Sequence, residues 1–311
     1  CDSAYSGTNL EGKVTVEDTG WQEITLDSGN YKITVVGAQG GDGGGVVGKA
    51  AKAEAKIELA QQKDLNVLVG QKGQTDGYSG SGGGGSFVWF DGQNSNPLMA
   101  AGGTGGSIYT TYSPHDSPDA PSANYGTDEH GNSDATGGFG GSGGYEGGGG
   151  AGWSTAGGDG GSSCGAGFGG QAIVDGGLGG SNTKLLGGYG GGGSTDSCFY
   201  NAGAGGGYSG GSASGSSESA GGSGGSYIAS SISGGSILQN YGITGGFWDG
   251  GAGYVEITAI NNPPEFNSVS LSPDPPLIGE TADFSYDASD PDGTIQSVDL
   301  TLKDDGSTVF T

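Results

Sequence analysis

The chain has 311 residues, 77 of them glycine, and its formal net charge is −25. Its basic side chains are nine lysines and two histidines, too few to neutralise a run of phosphates, so nucleic acid and anionic membrane surfaces are excluded as partners. Only 31% of the residues are hydrophobic. Because that fraction is small for a conventional core of this size, backbone hydrogen bonds must supply much of the cohesion.

The N-terminal residues 1–12 are small and polar, and they are expected to form a tether. Cys1 opens the sequence, as it does in a lipoprotein whose signal peptide has been removed, and it is therefore a candidate lipid anchor. The alternative is an arbitrary chain boundary. No apolar run of about 18 residues occurs, so the only membrane attachment that we expect is through a lipid on Cys1.

Strand patterns dominate the first hundred residues. Val14–Val16, Trp21–Leu26 and Tyr31–Val36 alternate apolar and polar side chains. Turn residues separate the last two runs and predict a hairpin. Further strands are expected in three short apolar runs, Leu65–Val69, Phe87–Phe90 and Leu98–Ala101. A late strand, Gly253–Ile260, is expected to close the domain by pairing with this early part of the chain.

The segment Lys49–Leu59 gives two conflicting signals. Its alanine, lysine and glutamate content favours a helix. Its apolar residues, however, occupy every second position from Ala51 to Leu59, and a helix would scatter them around its axis. The period of two predicts a strand.

A polar insertion, residues 107–136, carries three prolines and both histidines, and it is expected to be a long surface loop. Histidine with carboxylates is a ligand set for transition metals. Loops this polar usually only face water, which is the alternative to a metal site. The candidate metal ligands fall into two groups: His115, Asp116 and Asp119, and Asp128, Glu129, His130 and Asp134.

The tract 137–253 is the most unusual part of the chain. Its glycines often recur with a spacing of three, as in Gly137-Gly138-Phe139-Gly140-Gly141-Ser142. One interpretation is disorder, because glycine loses the most backbone freedom on folding. The other is a bundle of left-handed helices with three residues per turn, which make no internal hydrogen bonds and must bond to their neighbours. The tract lacks proline, which argues against collagen, and we predict a packed polyglycine-II bundle.

Two cysteines and several aromatic residues interrupt this tract. Cys164 and Cys198 are predicted to form a disulfide that ties two glycine segments together, the alternative being two free thiols. The aromatic residues of the tract are Phe139, Tyr145, Phe168, Tyr189 and Tyr208. They could be exposed groups that stack on a glycan or a partner, but we favour a role in packing the bundle against the sheets.

Five segments together resemble the glycine-rich domains of bacterial and archaeal surface proteins, which also occur in the anaplastic lymphoma kinase and leukocyte tyrosine kinase receptors. They stand in the same order as in that family: Val35–Gly41, Val67–Gly73, Gly82–Phe87, Met99–Gly103 and Gly251–Ile257. The resemblance spans about 21–260. It implies an all-β jelly-roll sandwich similar to tumour necrosis factor, with polyglycine-II helices inserted between strands, in a domain covering 13–260.

Composition changes abruptly at Asn261, where glycine becomes scarce and alternating strands appear at 268–271, 281–286 and 296–303. Residues 261–311 resemble the start of a bacterial immunoglobulin-like or cadherin-like repeat, an incomplete β-sandwich. The clustered side-chain oxygens of its acidic loop suit calcium, although an ordinary aspartate-rich turn explains these residues as well. The candidate calcium ligands are Asn262, Asp287, Asp290 and Asp292.

Nothing in the sequence indicates an enzyme, since no nucleophile elbow and no phosphate-binding loop occur. We therefore expect an extracellular cell-surface protein with a structural or adhesive role, a subunit of a filament or surface assembly. Its partners would be further copies of itself, neighbouring surface proteins or a glycan. The alternative is a receptor-like module that binds a ligand or glycan.

Overall fold

The computed structural model describes residues 14–16, 21–109, 114–161, 165–181, 184–196, 201–239, 241, 251–260, 265–272, 283–289, 302–304 and 307–310. Across these ranges the chain consists of β-strands, turns and extended segments, and the one helix is the single turn Ile173–Asp175 of 3-10 type. The prediction of an all-β protein is therefore confirmed. The chain forms two compact units, Cys1–Thr258 and Ala259–Thr311.

Two antiparallel sheets build the first unit. The six-stranded sheet contains, in spatial order, β1 (Val14–Val16), β2 (Gln22–Leu26), β5 (Lys63–Leu68), β6 (Ser86–Phe90), β7 (Met99–Ala101) and β10 (Tyr227–Ile228). The four-stranded sheet contains β11 (Ser236–Leu238), β4 (Lys52–Leu59), β3 (Gly29–Val36) and β12 (Tyr254–Ile260). A small separate ribbon pairs β8 (Ile108–Tyr109) with β9 (Pro114–His115).

The hairpin predicted between β2 and β3 is wrong. β2 pairs with β1 and β5, whereas β3 pairs with β4 in the other sheet. The turn residues do reverse the chain, but the reversal carries it from one sheet to the other. Ile24 and Ile33 are both buried in one core, so the two apolar faces meet across the sandwich instead of lying side by side.

The strand predicted within Lys49–Leu59 is confirmed as β4. Its alanines and its Ile57 and Leu59 are buried at alternate positions, and the intervening side chains are exposed or half-buried. Burial of one face has outweighed the helical propensity of the composition. Closure of the sheet by the late strand β12, which lies beside β3, also agrees with the prediction.

The six-stranded sheet is covered on both faces. Its inner face packs with the four-stranded sheet around Ile33, Leu65 and Met99. Its outer face carries a second cluster in which residues of the glycine tract contact the sheet: Leu68, Phe87, Trp89, Ala100, Trp153, Ile173 and Tyr208. Burial on both faces explains why β6 is apolar at nearly every position, since neither side of the strand meets water.

The glycine tract has a hydrogen-bonding pattern with a period of three. Successive residues of the segment 202–208 donate their backbone N–H groups to three different neighbouring segments in rotation. The first neighbour is 219–225, where Ser219, Gly222 and Gly225 accept from Ala202, Gly205 and Tyr208. The second is 80–83, where Gly80 and Gly83 accept from Gly203 and Gly206. The third is 148–151, where Gly148 and Ala151 accept from Ala204 and Gly207, and all seven distances lie between 2.8 and 3.2 Å. The donor direction thus returns to the same neighbour after every third residue.

Close approach of the backbones explains why these segments need glycine. A Cβ atom placed on Gly150 would collide with the carbonyl oxygen of Gly205, and one placed on Gly205 would collide with the carbonyl group of Gly103. No glycine from 203 to 225 has a positive φ, so close contact, and not an unusual backbone conformation, is the reason for glycine here.

The extended glycine-rich segments whose backbones bond to one another are called the hydrogen-bonded array below. The residues of this array differ from the predicted tract 137–253. Three segments that precede the polar insertion belong to it, because most of the glycines in 37–48, 70–85 and 102–106 also face neighbouring backbones with no room for a Cβ. Conversely, the short strands β10 and β11 lie inside the final part of the predicted tract.

The second unit contains two antiparallel hairpins among its described residues. β13 (Glu265–Ser272) pairs with β14 (Asp283–Ser289), and β15 (Leu302–Asp304) with β16 (Ser307–Phe310). In the first ladder Val269 lies opposite Tyr286, and each is at least half exposed. On the polar face the hydroxyl groups of Ser270 and Ser285 are 2.6 Å apart.

Replacing Gly150 by alanine is expected to destabilise the protein, because the new Cβ would force two hydrogen-bonded backbones apart. Overpacking of this kind costs about 1–3 kcal/mol and sometimes more. The midpoint of urea unfolding measures the loss. Gly215→Ala is the matched control in the same tract, since a Cβ there meets nothing within 4 Å, and we expect it to change the free energy of unfolding by less than about 0.5 kcal/mol. Equal midpoints for the two variants would contradict the close-packing explanation.

Candidate functional site

The polar insertion is fastened to the glycine-rich backbone by its own side chains. Asp116 Oδ1 accepts a hydrogen bond from the backbone N–H of Val46 at 2.7 Å, and Asp119 Oδ1 accepts one from Lys49 at 2.6 Å. These two carboxylates therefore satisfy backbone donors of an extended segment that has no ladder partner at those positions. Their role in the structure is to hold the insertion in place.

The two predicted groups of metal-binding residues do not come together. Within the described ranges, Asp128, Glu129 and His130 are the residues that offer three ligand atoms within 4.8 Å of one another. Asp134 and the whole group around His115 lie outside this cluster. Within the described ranges, no group of three or more potential ligands therefore combines the two histidines.

A tight turn explains the remaining cluster. Asp128 Oδ1 accepts hydrogen bonds from the backbone N–H groups of His130 and Asn132 at 2.9 and 2.8 Å, and its Oδ2 accepts one from the Asn132 side chain at 3.0 Å. Burial raises the pKa of this carboxyl, but the hydrogen bonds from Asn132 and His130, with the nearby His130 charge, outweigh that effect and leave the pKa of Asp128 lowered.

The same turn attaches the insertion to the tract. Glu129 Oε1 accepts a hydrogen bond from the hydroxyl group of Ser214 at 2.9 Å, and Thr127 donates its backbone N–H to Ser223 at 2.8 Å. His130 lies at the exposed end of the cluster, with its Nδ1 3.6 Å from Glu129 Oε1. The geometry is that of a structural clasp, in which Asp128 already accepts three hydrogen bonds and Glu129 one.

Two buried acidic residues lie elsewhere in the tract. Glu146 is fully buried, and Asp196 is nearly so. Lys184 Nζ forms an ion pair with Asp196 Oδ1 at 2.7 Å, and this hydrogen bond raises the pKa of the lysine. Carboxylates are seldom buried unless they are paired, so the Lys184 contact accounts for Asp196 as a structural residue.

The predicted disulfide and lipid anchor fall on Cys1, Cys164 and Cys198, all of which lie outside the described residues. The two nearest described neighbours of the disulfide pair, Gly165 and Asp196, are in contact: a Cβ placed on Gly165 would collide with the carboxylate of Asp196. The disulfide and the anchor both stay predictions.

The candidate calcium site falls mostly outside the described residues as well, since Asn262, Asp290 and Asp292 are not among them. Asp287 lies within strand β14 and not in a loop. Its side chain is exposed, and its Oδ2 is 3.4 Å from the side-chain nitrogen of Asn267. Calcium binding by this set stays a prediction.

The five aromatic residues of the tract divide into two groups. Tyr208 is buried and stacks on Tyr227 at a ring distance of 4.3 Å. Tyr189 packs against the same cluster, where burial raises its pKa to about 12. These two agree with the packing interpretation. The other three do not, because they are between 40 and 56% exposed: Phe139, Tyr145 and Phe168.

The chain matches no protein-family model, and the search of curated proteins returned no match. Within the described ranges no helix combines the length and the apolar character that crossing a membrane requires. The resemblance to glycine-rich surface domains therefore depends on the sequence segments named above.

Because the pKa of Asp128 is lowered, the stability of the turn that it caps depends on pH. A folded-state pKa below the ordinary value of 3.8 means that ionisation stabilises the turn above that pH and that the stabilisation is lost as the pH falls through the lower, folded-state value. We expect the amide proton shifts of His130 and Asn132, followed by NMR, to titrate with a midpoint below 3.8.

Asp128→Asn is the control for this titration, since asparagine keeps the acceptor oxygen but has no proton to gain. In that variant the two amide shifts should not change over the same pH range. A wild-type midpoint at or above 3.8 would show that the hydrogen bonds do not favour the ionised carboxylate.

Proposed function

We propose that this chain is an extracellular cell-surface protein with a structural and adhesive role, acting as a subunit of a filament or surface assembly. The observation that carries the proposal is the rotation of backbone hydrogen bonds around residues 202–208, which links one extended segment to three neighbours from distant parts of the chain. Such cross-linking suits a stiff, load-bearing module.

The tract is, in this proposal, a bundle of polyglycine-II helices. A left-handed extended helix has three residues per turn and no internal hydrogen bonds, which accounts for donors that return to the same neighbour at every third residue. The lack of positive φ among glycines 203–225 fits this hand. The collisions that a Cβ would cause fit backbones in direct contact.

The two sheets are proposed to form a jelly roll of the kind that the glycine-rich surface domains imply. Neighbouring strands come from distant parts of the chain, as in the pairs β2–β5, β7–β10 and β3–β12. Glycine-rich segments leave and re-enter the sheets between strands, which is the arrangement that the family resemblance leads us to expect. The second unit would be an immunoglobulin-like module that works as a stalk or a joint.

The charge of the chain supports an exposed location. A net charge of −25 keeps a protein soluble and discourages contact with anionic surfaces. Calcium bound by the acidic loop of the second unit would stiffen the link between successive modules. No catalytic step forms part of this proposal.

The purified chain is expected to assemble. Light scattering and negative-stain microscopy should show ordered particles larger than a single 30.1 kDa chain, and calcium should increase their length or order. A double variant, Asp290→Asn with Asp292→Asn, should remove the calcium effect and leave the glycine-rich domain folded. A monodisperse single chain, with and without calcium, would contradict the assembly proposal.

A further inference from the structure

A cleft of about 410 Å³ opens at one end of the six-stranded sheet. It lies where β5 begins and β6 ends, and these two ends are adjacent because Leu65 pairs with Phe90 in the antiparallel ladder. Six side chains line it: Gln62, Lys63, Asp64, Phe90, Asp91 and Gln93. No pattern in the sequence had marked these residues as a site, since they come from two strand ends and their flanks, which only the sheet register brings together.

Both carboxylates of the cleft are held in position by a neighbouring strand. Asp64 Oδ1 accepts a hydrogen bond from Thr25 Oγ1 at 2.7 Å, and Asp91 Oδ1 accepts one from the side-chain nitrogen of Asn66 at 3.2 Å. A backbone hydrogen bond from the Asp91 N–H to the Asp64 carbonyl, 2.9 Å long, joins the end of β6 to the start of β5. Each carboxylate therefore keeps its Oδ2 available, with no bond from that atom to the residues that the structure describes.

The other lining groups add donors, acceptors and an apolar surface. Gln62 gives its side-chain N–H to Asp27 at 2.9 Å and keeps its amide oxygen. The Lys63 ammonium forms no ion pair with the described part of the chain. Phe90 is half-buried, and the hidden part of its ring packs against the main core. The core thus fixes one aromatic ring among groups that both donate and accept hydrogen bonds.

The charges and hydrogen-bonding groups of the cleft favour one class of ligand over others. A metal ion is disfavoured because the cleft contributes only two carboxylates, and within the described ranges the metal-type cluster lies elsewhere, at Asp128. An anion is disfavoured by the acidic rim and by the net charge of −25. A purely apolar ligand would leave the carboxylates and amides unpaired. Hydroxyl groups, which donate and accept, match a rim of carboxylates, amides and an ammonium group.

We propose that this cleft binds an uncharged saccharide, with a sugar ring lying on Phe90 and its hydroxyl groups bonded to Asp64, Asp91 and Gln93. Ligand pockets generally measure about 300–1,000 Å³, so the cleft has room for one or two sugar units. The inference rests on the adhesive part of the proposed function and gives its target a chemical class.

Binding is tested on the whole chain with a panel of neutral saccharides, immobilised for a screen and then titrated in solution by calorimetry. At least one neutral saccharide should bind, and Asp64→Asn and Asp91→Asn should each weaken binding by roughly tenfold or more, because the charged acceptor becomes a neutral amide and one acceptor oxygen is replaced by an NH2 donor. Glu58→Gln is the matched control, since it removes an exposed carboxylate on the other sheet and should leave affinity unchanged.

Amide and ring signals in NMR provide a second readout. Saccharide should shift the Phe90 ring protons and the side-chain amides of Gln62 and Gln93, and should leave the Asp128 turn unaffected. Absence of binding by every neutral saccharide in the panel, equal affinity in the cleft variants and wild type, or binding of acidic saccharides only would each overturn the inference.

Failure of this inference is distinguishable from failure of the assembly proposal. A chain that assembles but binds no neutral saccharide contradicts the cleft assignment alone. A chain that binds saccharide through Asp64 and Asp91 but stays a single particle contradicts the assembly and supports the cleft.

Discussion

Every backbone N–H and C=O that leaves water needs a partner, and a chain so rich in glycine meets this requirement in an uncommon way. Where the strands end, the extended segments distribute their donors among three neighbours in turn, as residues 202–208 do with 80–83, 148–151 and 219–225. Close approach of the backbones makes these bonds possible, and glycine permits the approach. The hydrogen-bonded array therefore determines the composition, and with it the small share of hydrophobic residues.

The sheets and the array depend on each other. Leu68 and Trp89 of the six-stranded sheet would face water on their outer side without the tract, and Trp153 and Tyr208 of the tract supply the cover. The Trp153 indole donates to the Asn94 carbonyl at 2.9 Å and meets the Trp89 ring edge-on at 5.4 Å. This second apolar layer explains how a chain with 31% hydrophobic residues still buries a sheet on both faces.

Local patterns in the sequence were enough to predict β1 to β7 and β12, including β4 against its helical composition, but not the short strands β8 to β11. They were not enough to predict pairing: the Asp27–Asn30 turn reverses the chain without making β2 and β3 neighbours. Nor did they show that 37–48, 70–85 and 102–106 join the array, because those partners are distant in sequence. The cleft beside Phe90 was missed for the same reason, since Asp64 and Asp91 meet only through the β5–β6 register.

The central claim is that the glycine segments are bonded sideways into an ordered array that gives the protein its stiffness. Hydrogen–deuterium exchange measured amide by amide tests it most directly, with strands β3 and β4 as the internal standard. The account predicts that Gly203, Ala204, Gly205 and Gly206 exchange as slowly as the paired amides of those strands. Exchange across residues 202–208 at the rate of an unstructured peptide, while β3 and β4 stay protected, would contradict it.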